Sequence, residues 1–395
     1  MVADPGAADL VVVNTCAVTA AASADSRSRI RWAARAGKAK IVATGCYATI
    51  DPQTVASLPS VDFLVSNEEK DHLVSLALGS NENDPVNLSS RVLLQGHHKR
   101  TRAFIKVQDG CDNFCTFCIT RIARGAHRSQ PEAEIFNDIE SALKGGTKEI
   151  VLSGVNLGAW GKELKPQESL ANLISKIVEK LSPQRIRLSS LEPWDITEEF
   201  LKVFGLPGFC QHMHLPLQSG SDTVLKRMGR RSSASDFEAV VDRVRRKNPE
   251  TAITTDLMVG FPGESEEEFR GSLEFVRSIN FAGGHVFSYS SRHGTAAEKM
   301  SGQVLSNIKK SRSAEARYLF SVSAKKYREQ FVGRELSVLW ERAIDENGSW
   351  RVSGLSDNYL RVEARSAQNV YNQVTTVRII DLNDQGLLAE DLSRI

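Results

Sequence analysis

No apolar run in this 395-residue chain approaches the ~18 residues needed to span a membrane, and no basic-then-apolar segment opens it. The expectation is a cytoplasmic protein with no membrane partner. Cysteine is scarce: six in a chain this long do not make a disulfide scaffold, and reduced thiols suit metal chemistry. There is no repeat at a fixed period, which argues against a solenoid. Low complexity is confined to one polar, turn-rich stretch, Ser80 to Ser90, which reads as a linker. Apolar residues (41%) and charged residues (25%) stand at ordinary levels, so two or three packed domains are expected. Net charge is only +2, but residues 97–330 carry an excess of basic side chains while both flanking segments are net acidic. A polyanionic partner is expected to meet the middle segment first.

The apolar pattern predicts an α/β chain. Strands at Leu10–Val13, Ile41–Ala43 and Asp62–Val65 alternate with helices over about Ala20–Ala36 and Leu73–Leu78, the signature of a small parallel sandwich. Six strand candidates follow, at Ala103–Val107, Glu149–Ser153, Arg185–Ser190, Gln211–Leu215, Ala252–Met258 and Gly284–Tyr289. Helical patterns separate them, which predicts a partial (β/α)6 barrel with chemistry at the C-terminal strand ends; periodicity alone leaves a doubly wound sheet open. A long charged helix is expected over about Val304–Gln330, then several short strands that suggest a small β-barrel. The resulting domains are 1–90, 97–330 and 331–395.

The run Gly110-Cys111-Asp112-Asn113-Phe114-Cys115-Thr116-Phe117-Cys118 sets three cysteines at C-x3-C-x2-C spacing. Three thiolates on one loop can hold three irons of a [4Fe–4S] cube and leave the fourth iron open to a small molecule. Structural zinc needs four protein ligands, and the nearest later candidate, His127, fits the usual spacings poorly. Cys16 and Cys46 each follow an apolar run, so both could converge on one face of a parallel sheet. Two small buried side chains would look the same.

The C-x3-C-x2-C loop resembles that of the radical S-adenosylmethionine (SAM) enzymes, which implies homolytic cleavage of SAM to methionine and a 5′-deoxyadenosyl radical. Asn14-Thr15-Cys16-Ala17-Val18-Thr19 and Gly45-Cys46-Tyr47 resemble the N-terminal domain of the methylthiotransferase branch of those enzymes. Further words of that family fall in its order: Leu152-Ser153-Gly154 to Gly158, Arg187-Leu188-Ser189-Ser190-Leu191-Glu192-Pro193, His214 to Ser221, Thr255 to Glu264, and Tyr289 to Thr295. The last ~60 residues stand where the family has a TRAM domain, a small RNA-binding barrel.

The Asn-Thr-Cys-x-Val-Thr form is most similar to the branch that methylthiolates N6-threonylcarbamoyladenosine beside the tRNA anticodon. Sister branches act on N6-isopentenyladenosine or on a ribosomal-protein aspartate, and an impaired RNA-binding homologue is a further alternative. The resemblance implies a radical-generating [4Fe–4S] cluster on Cys111, Cys115 and Cys118. A second, auxiliary cluster would rest on Cys16, Cys46 and one further cysteine. It also implies SAM contacts from Phe117, Gly154, Ser189, Glu192 and Gln218, though each also has a plain structural reading. The implied partners are a tRNA anticodon stem-loop and a flavodoxin- or ferredoxin-like electron donor. The family normally carries a Gly-Cys word about 35 residues before Asn-Thr-Cys, so the chain is expected to be N-terminally truncated and its auxiliary cluster incomplete. The remaining cysteine, Cys210, reads as buried core.

Overall fold

The computed structural model describes residues 5–78 and 100–392; the expected linker at 80–90 lies outside them. The described residues form two compact units that interleave along the chain. Among the described residues, one takes 5–78, 110–127 and 290–301, and the other 100–109, 128–289 and 302–392.

In the first unit, strands β1 (Leu10–Thr15), β2 (Lys40–Gly45) and β3 (Val61–Val65) pair in parallel in that order. Helix α1 (Ala20–Ala36) starts where the Thr19 hydroxyl accepts from the Ala22 amide at 3.1 Å, satisfying one otherwise orphaned donor. Short helices α2 (Cys46–Ile50), α3 (Pro52–Ala56), α4 (Leu73–Leu78) and α5 (Thr120–Arg124) complete it. Ile30, Ile41, Ala43, Tyr47 and Ala123 share its apolar core.

The second unit holds two parallel three-stranded sheets. One contains β4 (Arg102–Lys106), β7 (Glu149–Ser153) and β8 (Arg185–Leu188). The two-residue strands β5 (Gln108–Asp109) and β6 (Arg128–Ser129) form a separate ribbon. The other sheet contains β9 (His212–His214), β10 (Ala252–Val259) and β11 (Gly283–Ser288). Bridges Ile186 to Phe209 and Ser190 to His214 join the sheets. Helices α6 (Glu132–Lys144), α7 (Leu170–Leu181), α8 (Asp222–Arg227), α9 (Ala234–Lys247), α10 (Glu266–Ile279) and α11 (Ser306–Glu329) fill the connections. Capping boxes start α9 (Ser233 with Asp236) and α10 (Ser265 with Glu268). Among the described residues no helix is long and apolar enough to cross a membrane.

Strands β12 (Glu335–Glu346), β13 (Ser349–Ser356), β14 (Arg361–Ser366), β15 (Val374–Leu382) and β16 (Leu387–Ala389) close a barrel in the order β12-β13-β14-β16-β15. Fully buried Trp340 centres it, with Nε1 donating to Thr375 Oγ1 at 2.8 Å. The barrel docks on the starts of β7 and β8 through buried charge. Arg185 donates to the Ser337 and Leu355 carbonyls at 2.5 and 2.9 Å, and Arg187 to those of Ser356 and Asp357 at 3.1 and 3.0 Å. Glu149 takes the other side of Arg187, accepting at 2.7 and 3.1 Å. Burial would raise the Glu149 carboxyl, but Arg187, Arg185 and Arg102 together hold it below its ordinary value.

Candidate active site

The three-cysteine loop is shaped by its backbone. Gly110 sits at φ +69°, and a Cβ there would lie 1.9 Å from the Ala126 carbonyl oxygen, so only glycine lets the two loop arms close. The Cys111 amide donates to the Gly125 carbonyl at 3.1 Å and the Cys118 amide to that of Cys115 at 3.1 Å. The Asn113 backbone amide donates to Cys111 Sγ at 3.4 Å. All three cysteines are half-buried. His127 pairs with Asp112, whose carboxyl its hydrogen bonds hold below the usual value. Exposed Phe114 carries the Arg121 guanidinium 3.7 Å from its ring centroid.

Among the described residues, no three His, Cys, Asp or Glu side chains converge to hold a single metal ion. A [4Fe–4S] cube makes a different demand, because each thiolate binds a separate iron and the sulfurs stand apart around it. Three cysteines on one loop, with an amide on one sulfur, fit that group.

The parallel register brings Cys16 and Cys46 together. Thr15 pairs with Gly45, so the two cysteines follow directly at the C-terminal ends of neighbouring strands. Gly45 adopts φ +95°, and a Cβ there would meet the Thr15 carbonyl oxygen at 2.4 Å. Cys16 is exposed and Cys46 is buried. The Asn67 side-chain amide donates to the Ala123 carbonyl at 2.8 Å and lies 3.6 Å from Cys46 Sγ. It thereby ties the second cysteine to α5, the helix that follows the three-cysteine loop. Cys210 lies in the other unit, buried beside Glu149, its thiol pushed up to about 12 by burial. Such a thiol is inert.

Gly154, Ser189, Glu192 and Gln218 stand just past the C-terminal ends of β7, β8 and β9. The place of a Cβ at Gly154 is occupied by Gln108, whose Oε1 accepts from the Asn156 amide at 2.8 Å. The Ser189 hydroxyl is buried and has no partner among the described residues. Gln218 holds φ +69°, with its backbone bonded to Asp256 and Met258 at 2.8 Å each, which fixes its backbone beside β10. Phe117 is half-buried in the cysteine loop.

Sequence reasoning missed the partners of these residues. Arg230 clamps Glu192 with two bonds of 2.9 and 2.6 Å and lies over Trp194, 4.8 Å from its centroid. His214 Nε2 faces Asp256 at 3.3 Å, and Thr254 Oγ1 joins His214 Nδ1 (3.0 Å) to His212 Nε2 (2.9 Å). These contacts cross between distant strands, and no local spacing signals them. In the C-terminal barrel, Arg351 and Arg365 pair with Glu346 and Arg361 with Glu363, and Arg334 just before it pairs with Glu250.

Residues 105–276 match the Radical SAM superfamily, and residues 1–66 match the uncharacterized protein family UPF0004. The chain is 38% identical to the threonylcarbamoyladenosine tRNA methylthiotransferase MtaB of Thermotoga maritima, over 97% of this chain and 89% of that one. It is 35% identical to the protein of the same name in Bacillus subtilis, over 94% and 86% of the two chains. Among solved structures it is similar in fold to the radical SAM methyltransferase TsrM of Kitasatospora setae, with a TM-score of 0.56 and 16% identity. That likeness covers 70% of this chain and 61% of the other.

Proposed function

Because the chain belongs to the radical SAM tRNA methylthiotransferase family, we propose that it inserts a methylthio group at C2 of N6-threonylcarbamoyladenosine, beside the anticodon of a cytoplasmic tRNA. The observation that carries the reading is the likeness to a threonylcarbamoyladenosine tRNA methylthiotransferase over 97% of the chain.

Cys111, Cys115 and Cys118 are the residues to hold the radical-generating [4Fe–4S] cluster, and Cys16 and Cys46 are two ligands for an auxiliary cluster. When bound, the first cluster and SAM supply a primary carbon radical able to open an unactivated C–H bond, which acid–base groups cannot do at neutral pH. The chain's own residues position the reactants. Ser189 offers an unpaired buried hydroxyl to SAM. Glu192 offers a carboxylate already oriented by Arg230, so little rotamer freedom is lost on binding. Gln218 offers an amide on a fixed backbone, and the backbone at Gly154 approaches closely. Phe117 would pack against the adenine of SAM. The electrons come from a flavodoxin- or ferredoxin-like donor.

Nucleoside mass spectrometry of tRNA tests the assignment, using a strain deleted for its own enzyme and given this chain. The expected product is 2-methylthio-N6-threonylcarbamoyladenosine. Its absence, with the unmethylthiolated nucleoside persisting, overturns the assignment.

A further inference from the structure

A cavity of about 530 Å³ lies between the paired three-stranded sheets and the C-terminal barrel, within the range of small-ligand sites. Its walls come from β4, β7 to β11, the end of α11 and the C-terminal barrel. No Asp or Glu is among its described lining residues, whereas Arg102, Arg187, Arg328, Arg361 and His285 are. Most of those cations are already committed. Arg187 is held by Glu149, Arg102 lies 2.6 Å from Glu341, and Arg361 lies 3.6 Å from Glu363. Arg328 differs: its Nε is buried and has no partner among the described residues.

Two more lining residues carry buried polar atoms without partners there, Ser189 Oγ and His212 Nδ1. His212 is only 6% exposed. Buried donors and acceptors without partners are costly, and three around one cavity describe a site that is completed by a polar ligand. Ser189 also places one end of the cavity at the C-terminal strand ends, where parallel β/α folds do their chemistry.

We propose that this cavity seats the N6 substituent of the substrate adenosine, and that Arg328 pairs its carboxylate and so selects a threonylcarbamoyl base over an uncharged one. The inference rests on the functional reading above. A threonylcarbamoyl group carries one carboxylate and a urea, which answer the buried Arg328 Nε and the His212 Nδ1 atom in turn, while Ser189 marks the end of the cavity that SAM takes. An apolar N6 group would leave both of these unpaired, and desolvated polar groups discriminate strongly against a ligand that cannot meet them.

The test is binding of anticodon stem-loop RNA to the full chain by fluorescence anisotropy. Two RNAs differ only in the threonyl carboxylate, free in one and a methyl ester in the other. The unaltered chain is expected to bind the acid at least about tenfold tighter, the scale of one charge-assisted hydrogen bond. Arg328→Met is expected to bring that ratio close to one, and Arg328→Lys to restore part of it. An unchanged ratio in Arg328→Met overturns the proposal. So does equal weakening of both RNAs, which would mark a phosphate contact, or weakened SAM binding with the ratio intact. Should the Met variant not fold, phenylglyoxal labelling of the unaltered chain gives the answer. Arg328 must be protected by the acid RNA and not by the ester, and equal protection refutes the assignment. A chain that favours neither RNA over an unmodified stem-loop removes the functional reading as well. Acid preference that survives Arg328→Met removes the inference alone.

Discussion

The Arg187 guanidinium lies 5.0 Å from the centroid of the Tyr359 ring, which in turn stacks on His212 at 4.5 Å. Tyr359 holds φ +67° to reach that position. A strained tyrosine, an arginine and a histidine therefore fix the C-terminal barrel against the parallel sheets.

Removing Arg187 should be severe. Arg187→Met leaves Glu149 charged and buried, with side-chain exposures of 2% and 0% for the two partners. Breaking a buried pair from one side costs about 3–5 kcal/mol. Urea unfolding should show that loss, and Glu149→Leu combined with Arg187→Met should recover most of it.

Stability should fall on mild acidification because of His212. Burial first, then Arg187 and His214, hold its imidazole well below the ordinary value. Below pH ~6.5 the unfolded chain therefore binds a proton that the folded chain refuses, and stability drops by about 1.4 kcal/mol per pH unit. Denaturant midpoints between pH 7 and 5 should follow this slope. His212→Phe should keep a ring under Tyr359 and lose about one proton's worth of it.

Asn67→Leu should loosen the first unit. It removes the 2.8 Å bond to the Ala123 carbonyl and leaves that oxygen without its side-chain donor. The expected cost is about 1–3 kcal/mol. Iron counting on reconstituted protein should show weaker retention at Cys16 and Cys46, with iron at the three-cysteine loop kept.

Cys210 should resist alkylation. Its thiol is 1% exposed and pushed up to about 12 by burial. Iodoacetamide at pH 8 should modify it only after denaturation, as read by peptide mass spectrometry; Cys210→Ala should leave the iron content intact.

Much of the fold was legible because local patterns carry it. The helix expected over Ala20–Ala36 spans those residues, and the six expected strand positions of the parallel sheets hold β4 and β7 to β11. The short helices α2 and α3 were not legible, since five residues cannot display a helical period. Strand β12 runs twelve residues, Glu335–Glu346, where only short strands were expected, because a register shift between Trp340 and Arg342 breaks the alternation. The three-cysteine loop could be read from spacing alone. Arg328, Arg230 and the Glu149 network could not, because each charge is given its meaning by partners far away in sequence.

The central claim is that Cys111, Cys115 and Cys118 anchor an iron–sulfur cluster that acts on SAM. Anaerobic protein reconstituted with iron and sulfide, then given SAM and a strong reductant, addresses it most directly. The unaltered chain should give the Mössbauer signature of a [4Fe–4S] cluster and release 5′-deoxyadenosine. The triple variant Cys111→Ala, Cys115→Ala, Cys118→Ala should release none. No 5′-deoxyadenosine from the unaltered chain, or equal release from the triple variant, would contradict the account.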